Sequence, residues 1–204
     1  MRQVSLLLTV MAATLVVASG VALAVTRIGT DGPDTLRGTN RDDNLIGKGG
    51  DDDLFAMGGN DSLLGGPGRD NVLGGHEIGP GPSGGKKNLL GGPGNDLVNG
   101  GSGSDSIEGE EGNDFLIDSP FRKPSKDKIV GGDGNDVIDV LSRPAVKDSV
   151  VCGDGFDRVL ADRADLVVSD CERVLVGFGS TVKFYRSIPQ RFWDGLPPFP
   201  GHES

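Results

Sequence analysis

The sequence predicts an all-β chain: a right-handed parallel β-roll, a solenoid of glycine/aspartate-rich nonapeptides with 18 residues per coil. Three observations carry this. A nine-residue pattern recurs in register from Gly29 to about Val174, first as GTDGPDTLR (29–37), GTNRDDNLI (38–46), GKGGDDDLF (47–55), AMGGNDSLL (56–64) and GGPGRDNVL (65–73). After an interruption come GGPGNDLVN (91–99), GGSGSDSIE (100–108) and GEEGNDFLI (109–117), then GGDGNDVID (131–139) and CGDGFDRVL (152–160). The eighth position is aliphatic throughout: Leu36, Leu45, Leu54, Leu63, Val72, Leu89, Val98, Ile107, Leu116, Ile129, Ile138, Val150 and Val159. One apolar residue per nine fits neither an amphipathic helix nor an alternating strand. It fits two turns and two short strands per coil, stacked about 4.8 Å apart.

Before the repeats, Met1-Arg2 leads an apolar run from Val4 to Ala24 that ends in the small-x-small site Ala22-Leu23-Ala24. This reads as a secretory signal peptide, residues 1–24, and places the protein outside the cell. No other segment reaches transmembrane length, so none is expected after cleavage. The roll itself spans 25–174.

Within each repeat, glycines at positions one, two and four allow a tight turn that gathers backbone carbonyls. Aspartate at position six adds a hard oxygen of the kind calcium prefers. The form Gly-Gly-x-Gly-x-Asp-x-aliphatic-x resembles the hemolysin-type (RTX) calcium-binding repeat family over roughly 29–174. The resemblance implies that each calcium ion lies between two stacked turns, held by glycine-turn carbonyls and sixth-position aspartates.

Counting repeats from Gly29, the odd ones are all nine residues long and keep the aspartate: Asp34, Asp52, Asp70, Asp96, Asp114, Asp136 and Asp157. The length defects fall in even repeats, with insertions near 76–87, 118–126 and 140–147. Even turns also carry Arg41 at position four and Lys87 at position six. An intact calcium ladder is therefore expected on the odd edge. A partial one, using Asp43, Asp61 and Asp105, is expected on the even edge. Lys86, Lys87, Arg122, Lys123, Lys126, Arg143 and Lys147 in the insertions would gather opposite the acidic ladder. As a patch they would suit an anionic glycan or cell-wall polymer.

Cys152 and Cys171, the two cysteines of the chain, are 19 positions apart. An 18-residue coil places them on adjacent rungs, and an exported chain favours a disulfide over free thiols. The pattern stops near Phe178. Residues 175–188 read as a partial cap on the last rung, and 189–204 as a flexible proline-rich tail.

The net charge is −10, and loss of Arg2 with the signal makes it −11. That excludes an electrostatic case for nucleic acid. High glycine and few aromatics give the metal-free chain a weak core against a large ordering cost. Ion binding can then contribute folding free energy directly.

No catalytic reading survives. Gly81-Pro82-Ser83-Gly84-Gly85 matches a nucleophile elbow in letters, but it lacks the strand and helix that chemistry needs. The repeats also fill most of the mature chain. The sequence thus predicts a secreted calcium-binding roll, with an extracellular surface or matrix interaction module as the alternative.

Overall fold

A computed structural model describes residues 23–75, 85–118, 125–177, 188 and 190–197. The expected signal segment lies outside them except for its last two residues. So do most of the first two insertions, Arg122 and Lys123 included, and most of the tail.

Each repeat forms a turn and then a short strand. Strands β1 (Thr26–Ile28), β3 (Asn44–Ile46), β5 (Ser62–Leu64), β7 (Asn88–Leu90), β9 (Ser106–Glu111), β11 (Lys128–Asp133), β13 (Ser149–Asp154) and β15 (Leu166–Val167) make one parallel eight-stranded sheet in that order. The second sheet runs β2 (Thr35–Arg37), β4 (Asp53–Phe55), β6 (Asn71–Leu73), β8 (Leu97–Asn99), β10 (Phe115–Ile117), β12 (Val137–Asp139), β14 (Arg158–Ala161) and β16 (Arg173–Val176). Odd turns lead into the second sheet and even turns into the first, so the two kinds of turn line opposite edges.

Eighth-position residues pair with one another across each sheet, the columns ending at Arg27 beside Leu45, Val167 beside Val150 and Val174 beside Val159. Leu36, Leu54, Val72, Val98, Leu116, Ile138 and Val159 form one column. Leu45, Leu63, Leu89, Ile107, Ile129 and Val150 form the other. All are fully buried in a single core except Leu36, whose strand ends its sheet among the described residues. Insertions leave this register intact, because Leu89, Ile129 and Val150 each return to the column.

A second core, which the repeat pattern alone does not announce, lies on the outer face of the second sheet. The first residue of its strands changes from Thr35, Asp53 and Asn71 to Leu97, Phe115 and Val137. Ile188, Phe192 and Leu196 pack on Leu97, Phe115, Val137 and Leu160. Phe192 belongs to a short helix, α1 (Gln190–Gly195), within the stretch expected to be flexible. The described part of the tail therefore covers the side of the roll, because that is where the strands offer apolar surface. Residues 178–187, where most of the end cap was expected, lie outside the described residues.

Cys152 and Cys171 form a disulfide with a Cα–Cα separation of 5.3 Å. It joins β13 to the turn that precedes β16, tying the last coil closed. Replacing both cysteines by alanine is expected to cost about 2–4 kcal/mol, read as a lower denaturant midpoint at unchanged slope. An unchanged midpoint would show that the bridge adds nothing.

Candidate metal centre

The sixth-position aspartate precedes its strand by one residue, so it inherits the 18-residue stacking. On the odd edge each aspartate donates its backbone N–H to Oδ1 of the aspartate one rung on. The bonds run Asp34 to Asp52, Asp52 to Asp70, Asp70 to Asp96 and Asp96 to Asp114, each 2.8 Å. They continue from Asp114 to Asp136 at 2.9 Å and from Asp136 to Asp157 at 2.8 Å. Asp157 then donates to Glu172 at 2.8 Å, and the longer glutamate ends the series.

The second oxygen of each carboxylate has no such role. Oδ2 of Asp52, Asp70, Asp96, Asp114, Asp136 and Asp157 is buried with no hydrogen-bond partner. The same holds on the even edge for Asp61, Asp105, Asp127 and Asp148. A buried acceptor left unpaired costs about 1–3 kcal/mol, and more when charged. A row of ten has to be met by protons or by cations.

The first rung behaves differently, and the residue at position two is the reason. Thr30 donates its N–H and Oγ1 to Asp34 Oδ2 at 2.6 and 2.8 Å. Thr39 closes on Asp43 Oδ2 in the same manner, through both its N–H and its hydroxyl. In the Gly-Gly turns, Gly66 and Gly92 instead send that N–H to the next rung's carbonyls, on Gly91 and Gly109, at 2.9 and 3.1 Å. Their φ values, +109° and +117°, turn the amide away from the aspartate and are strained for a side-chain-bearing residue. Threonine turns thus cap their own carboxylate, whereas glycine turns leave it open. Asp34 and Asp43 stand apart from the other predicted ligands for this reason.

Glycine at position four completes the cradle. A Cβ on Gly94 or Gly112 would overlap the carbonyl oxygen of the glycine one rung before it, Gly68 or Gly94. These carbonyls therefore point along the stack, into the gap between turns.

The even edge is fuller than expected. Besides Asp43, Asp61 and Asp105, the register brings Asp127, Asp148 and Asp165 into the same ladder. Asp105 donates to Asp127 at 2.6 Å, Asp127 to Asp148 at 3.0 Å and Asp148 to Asp165 at 3.0 Å. The expectation of a partial ladder counted positions forward from the start of each repeat, and the insertions displaced the aspartates. Counting back two residues from Ile129 and Val150 finds Asp127 and Asp148. Asp165 ends the row as a cap, since its Oδ2 accepts from the Asp162 N–H at 2.7 Å.

Lys87 is the interruption in this row. Expected as part of a surface basic patch, it is instead 1% exposed. Its Nζ donates to the carbonyls of Gly85 and Ser102 at 3.2 and 3.3 Å. The stacking register carries it into the ladder position, so its ammonium stands where the neighbouring rungs have a carboxylate. Burial raises the pKa values of Asp61 and Asp105, and the positive charge of Lys87 tempers that rise.

Sequence reasoning also missed Asp118. It occupies position one of its repeat, where glycine is usual, and is buried with both carboxylate oxygens unpartnered. Asp118 was legible as a residue but read as the start of an insertion.

Burial dominates the electrostatics. It pushes the carboxyl of Asp96 up to about 9, Asp136 to about 8, and Asp70 and Asp114 to about 7, against hydrogen bonds that pull the other way. Asp105 and Asp148 rise to about 7 and Asp157 to about 6 for the same reason. These groups fit a hard cation on the evidence of their own atoms: acceptor-only oxygens, buried, stacked between backbone carbonyls and short of positive charge. The sulfurs of Cys152 and Cys171, though near Asp170, are consumed in the disulfide.

Among known families, the model of the RTX calcium-binding nonapeptide repeat matches four times, at residues 28–63, 46–75, 88–117 and 125–140. No match was found among curated proteins or among solved structures.

An unfolded aspartate titrates near 3.9, at about that value in any solvated chain. A carboxyl with a raised folded pKa holds a proton in the roll that it releases on unfolding. Its stabilising effect is complete below the unfolded value and is lost as pH rises through the folded values, here about 6 to 9. In chelator, the roll is therefore expected to lose stability as pH rises from about 4, the unfolded value, to about 9, where the loss levels off. In saturating calcium that loss should vanish. Thermal melts at pH 5, 7 and 9 with and without chelator would check this, and a chelated melt that rises with pH would contradict it.

Proposed function

Residues 28–140 belong to the RTX calcium-binding nonapeptide repeat family, and on that premise we propose that the chain is exported and folds outside the cell when its stacked turns take up calcium. The observation that carries this reading is the row of buried Oδ2 atoms without partners on both edges. The apolar leader at 1–24, of which residues 1–22 lie outside the described residues, supports export, as does the disulfide.

The ligands would be Asp52, Asp70, Asp96, Asp114, Asp136 and Asp157 on the odd edge. On the even edge they would be Asp61, Asp105, Asp127 and Asp148, with turn carbonyls completing each set. Calcium supplies the positive charge and the demand for six to eight oxygens that these buried groups answer. The chain does the rest. Each aspartate holds the preceding rung in position through Oδ1 and offers Oδ2 to the gap, while the aliphatic column closes beneath. In the metal-free chain the same carboxylates repel along the stack, and the ordering cost of a glycine-rich backbone is unopposed.

We read the protein as a structural and binding one, not a catalyst. The buried carboxylates already serve the ladder, and among the described residues none is singled out as a lone acid or base in a cleft. No helix among the described residues is long and apolar enough to cross a membrane.

A second reading has one observation in its favour. A cleft of about 590 Å³ on the even side is lined by Thr26, Asn44, Ser62, Asn88, Ser106 and Lys86, among others. Such a row of short polar side chains at rung spacing suits a polysaccharide chain.

Far-UV circular dichroism of the chain from Val25 onward, chelated and then titrated, tests the first reading. A coil-to-β transition near millimolar calcium, absent with magnesium, is expected, and replacing Asp70 and Asp96 by alanine should shift it to higher calcium. A fully folded chelated chain on which calcium has no effect would sink the proposal. For the second reading, pull-down on insoluble cell-wall polysaccharide should weaken in a Lys86→Ala, Asn88→Ala variant. Equal retention would dismiss it.

A further inference from the structure

One gap on the even edge differs from the others. Asp118 follows β10 directly and keeps its place in the backbone ladder, its N–H donating to the Asp139 carbonyl at 2.8 Å. Position one of a repeat faces inward, which is why glycine or a small residue usually stands there. The side chain of Asp118 accordingly enters the roll. Room for it comes from Gly100 on the preceding rung, where an added Cβ would lie 2.8 Å from Asp118 Oδ1 and 3.2 Å from Asp105 Oδ2.

The result is a cluster of three carboxylates. Asp105, Asp118 and Asp127 are all buried, and each offers an oxygen within 4.8 Å of those of the other two. Asp105 and Asp127 each spend Oδ1 on a backbone N–H, from Lys87 and Asp105 respectively. Four oxygens remain buried without partners: Asp105 Oδ2, Asp127 Oδ2 and both of Asp118. Asp118 is 1% exposed and so shut off from bulk water. Lys87 is committed to the carbonyls of Gly85 and Ser102 on the other side of Asp105, and its hydrogen bonds do not extend to Asp118.

We propose that Asp105, Asp118 and Asp127 form a cation site of their own, a three-carboxylate calcium site built around a side chain that the repeat pattern does not supply. Oxygens up to 4.8 Å apart can surround one ion at calcium's usual bond length of about 2.3–2.6 Å. The shorter bonds of magnesium, about 2.0–2.1 Å with rigid octahedral demands, fit that spread poorly. A third carboxylate raises the charge of the site, and ligand charge count is one of the quantities that sets calcium affinity. This gap is therefore the tightest on the roll and the first to fill. The inference rests on the calcium reading for the identity of the ion, and on Asp118 for everything else.

The test compares the exported protein with Asp118→Asn, which keeps the shape and removes the charge, and with Asp118→Gly, which restores the usual residue. Calcium binding would be followed by equilibrium dialysis, and stability by thermal melts in chelator and in calcium. Wild type should bind one ion at least tenfold more tightly than the rest, and both variants should lose that ion while keeping the others. In chelator Asp118→Asn should melt higher than wild type, because the cost of burying a carboxyl that is ionised in the unfolded chain is removed. In calcium the order should reverse. Equal ion counts and affinities in all three proteins, or a melting order that calcium does not reverse, would overturn the site while leaving the calcium-binding roll intact. Wild-type protein that binds no calcium would overturn both.

Discussion

Everything in this molecule depends on how one carboxylate is divided. The sixth-position aspartate gives Oδ1 to the backbone N–H of the preceding rung and keeps Oδ2 in a buried gap. The first oxygen builds the stack, and the second makes the stack conditional. A neutral acceptor could hold the rung together with less electrostatic penalty. Aspartate brings a charge that the low-dielectric interior does not tolerate alone.

The glycines follow from the same division. Position two decides whether the turn closes on its own aspartate or opens towards the next rung, as the contrast between Thr30 and Gly66 shows. Lys48, Met57 and Glu110 hold the open form at φ values of +85°, +77° and +80° without being glycine. Each is a strained backbone kept by its neighbours. The open turn is therefore imposed by the stack and not merely permitted by sequence. Lys87 shows the converse, a rung where the chain supplies its own buried cation.

The architecture was legible from the aliphatic eighth position alone. Thirteen residues named from spacing fall in two paired columns, and only Leu36 is incompletely buried. Ladder aspartates were legible wherever a repeat kept its length. Asp127 and Asp148 were not, because the insertions hide them from a forward count although the strand behind each one betrays them. Asp118 escaped for a deeper reason. Its significance lies in what Gly100 leaves empty one rung away, a relation between positions 18 apart that no local pattern marks. The side core of Leu97, Phe115 and Val137 had a plain signature, a polar-to-apolar change at one strand position, but its partners sit some fifty or more residues downstream in a proline-rich stretch.

The amide-to-carboxylate bonds of the sixth-position aspartates all point one way along the stack, while those at position five, from Asn60 to Asp42 and from Arg69 to Asp51, point back. Each rung's aspartate N–H looks for an acceptor on the rung that follows it in sequence, never on the one before. A rung is therefore unfinished until its C-terminal neighbour exists, whereas the last coil is finished by itself: Glu172 and Asp165 terminate the two rows and the disulfide locks the template. The roll is a zipper with a polarity, and its closed end is the C-terminal one.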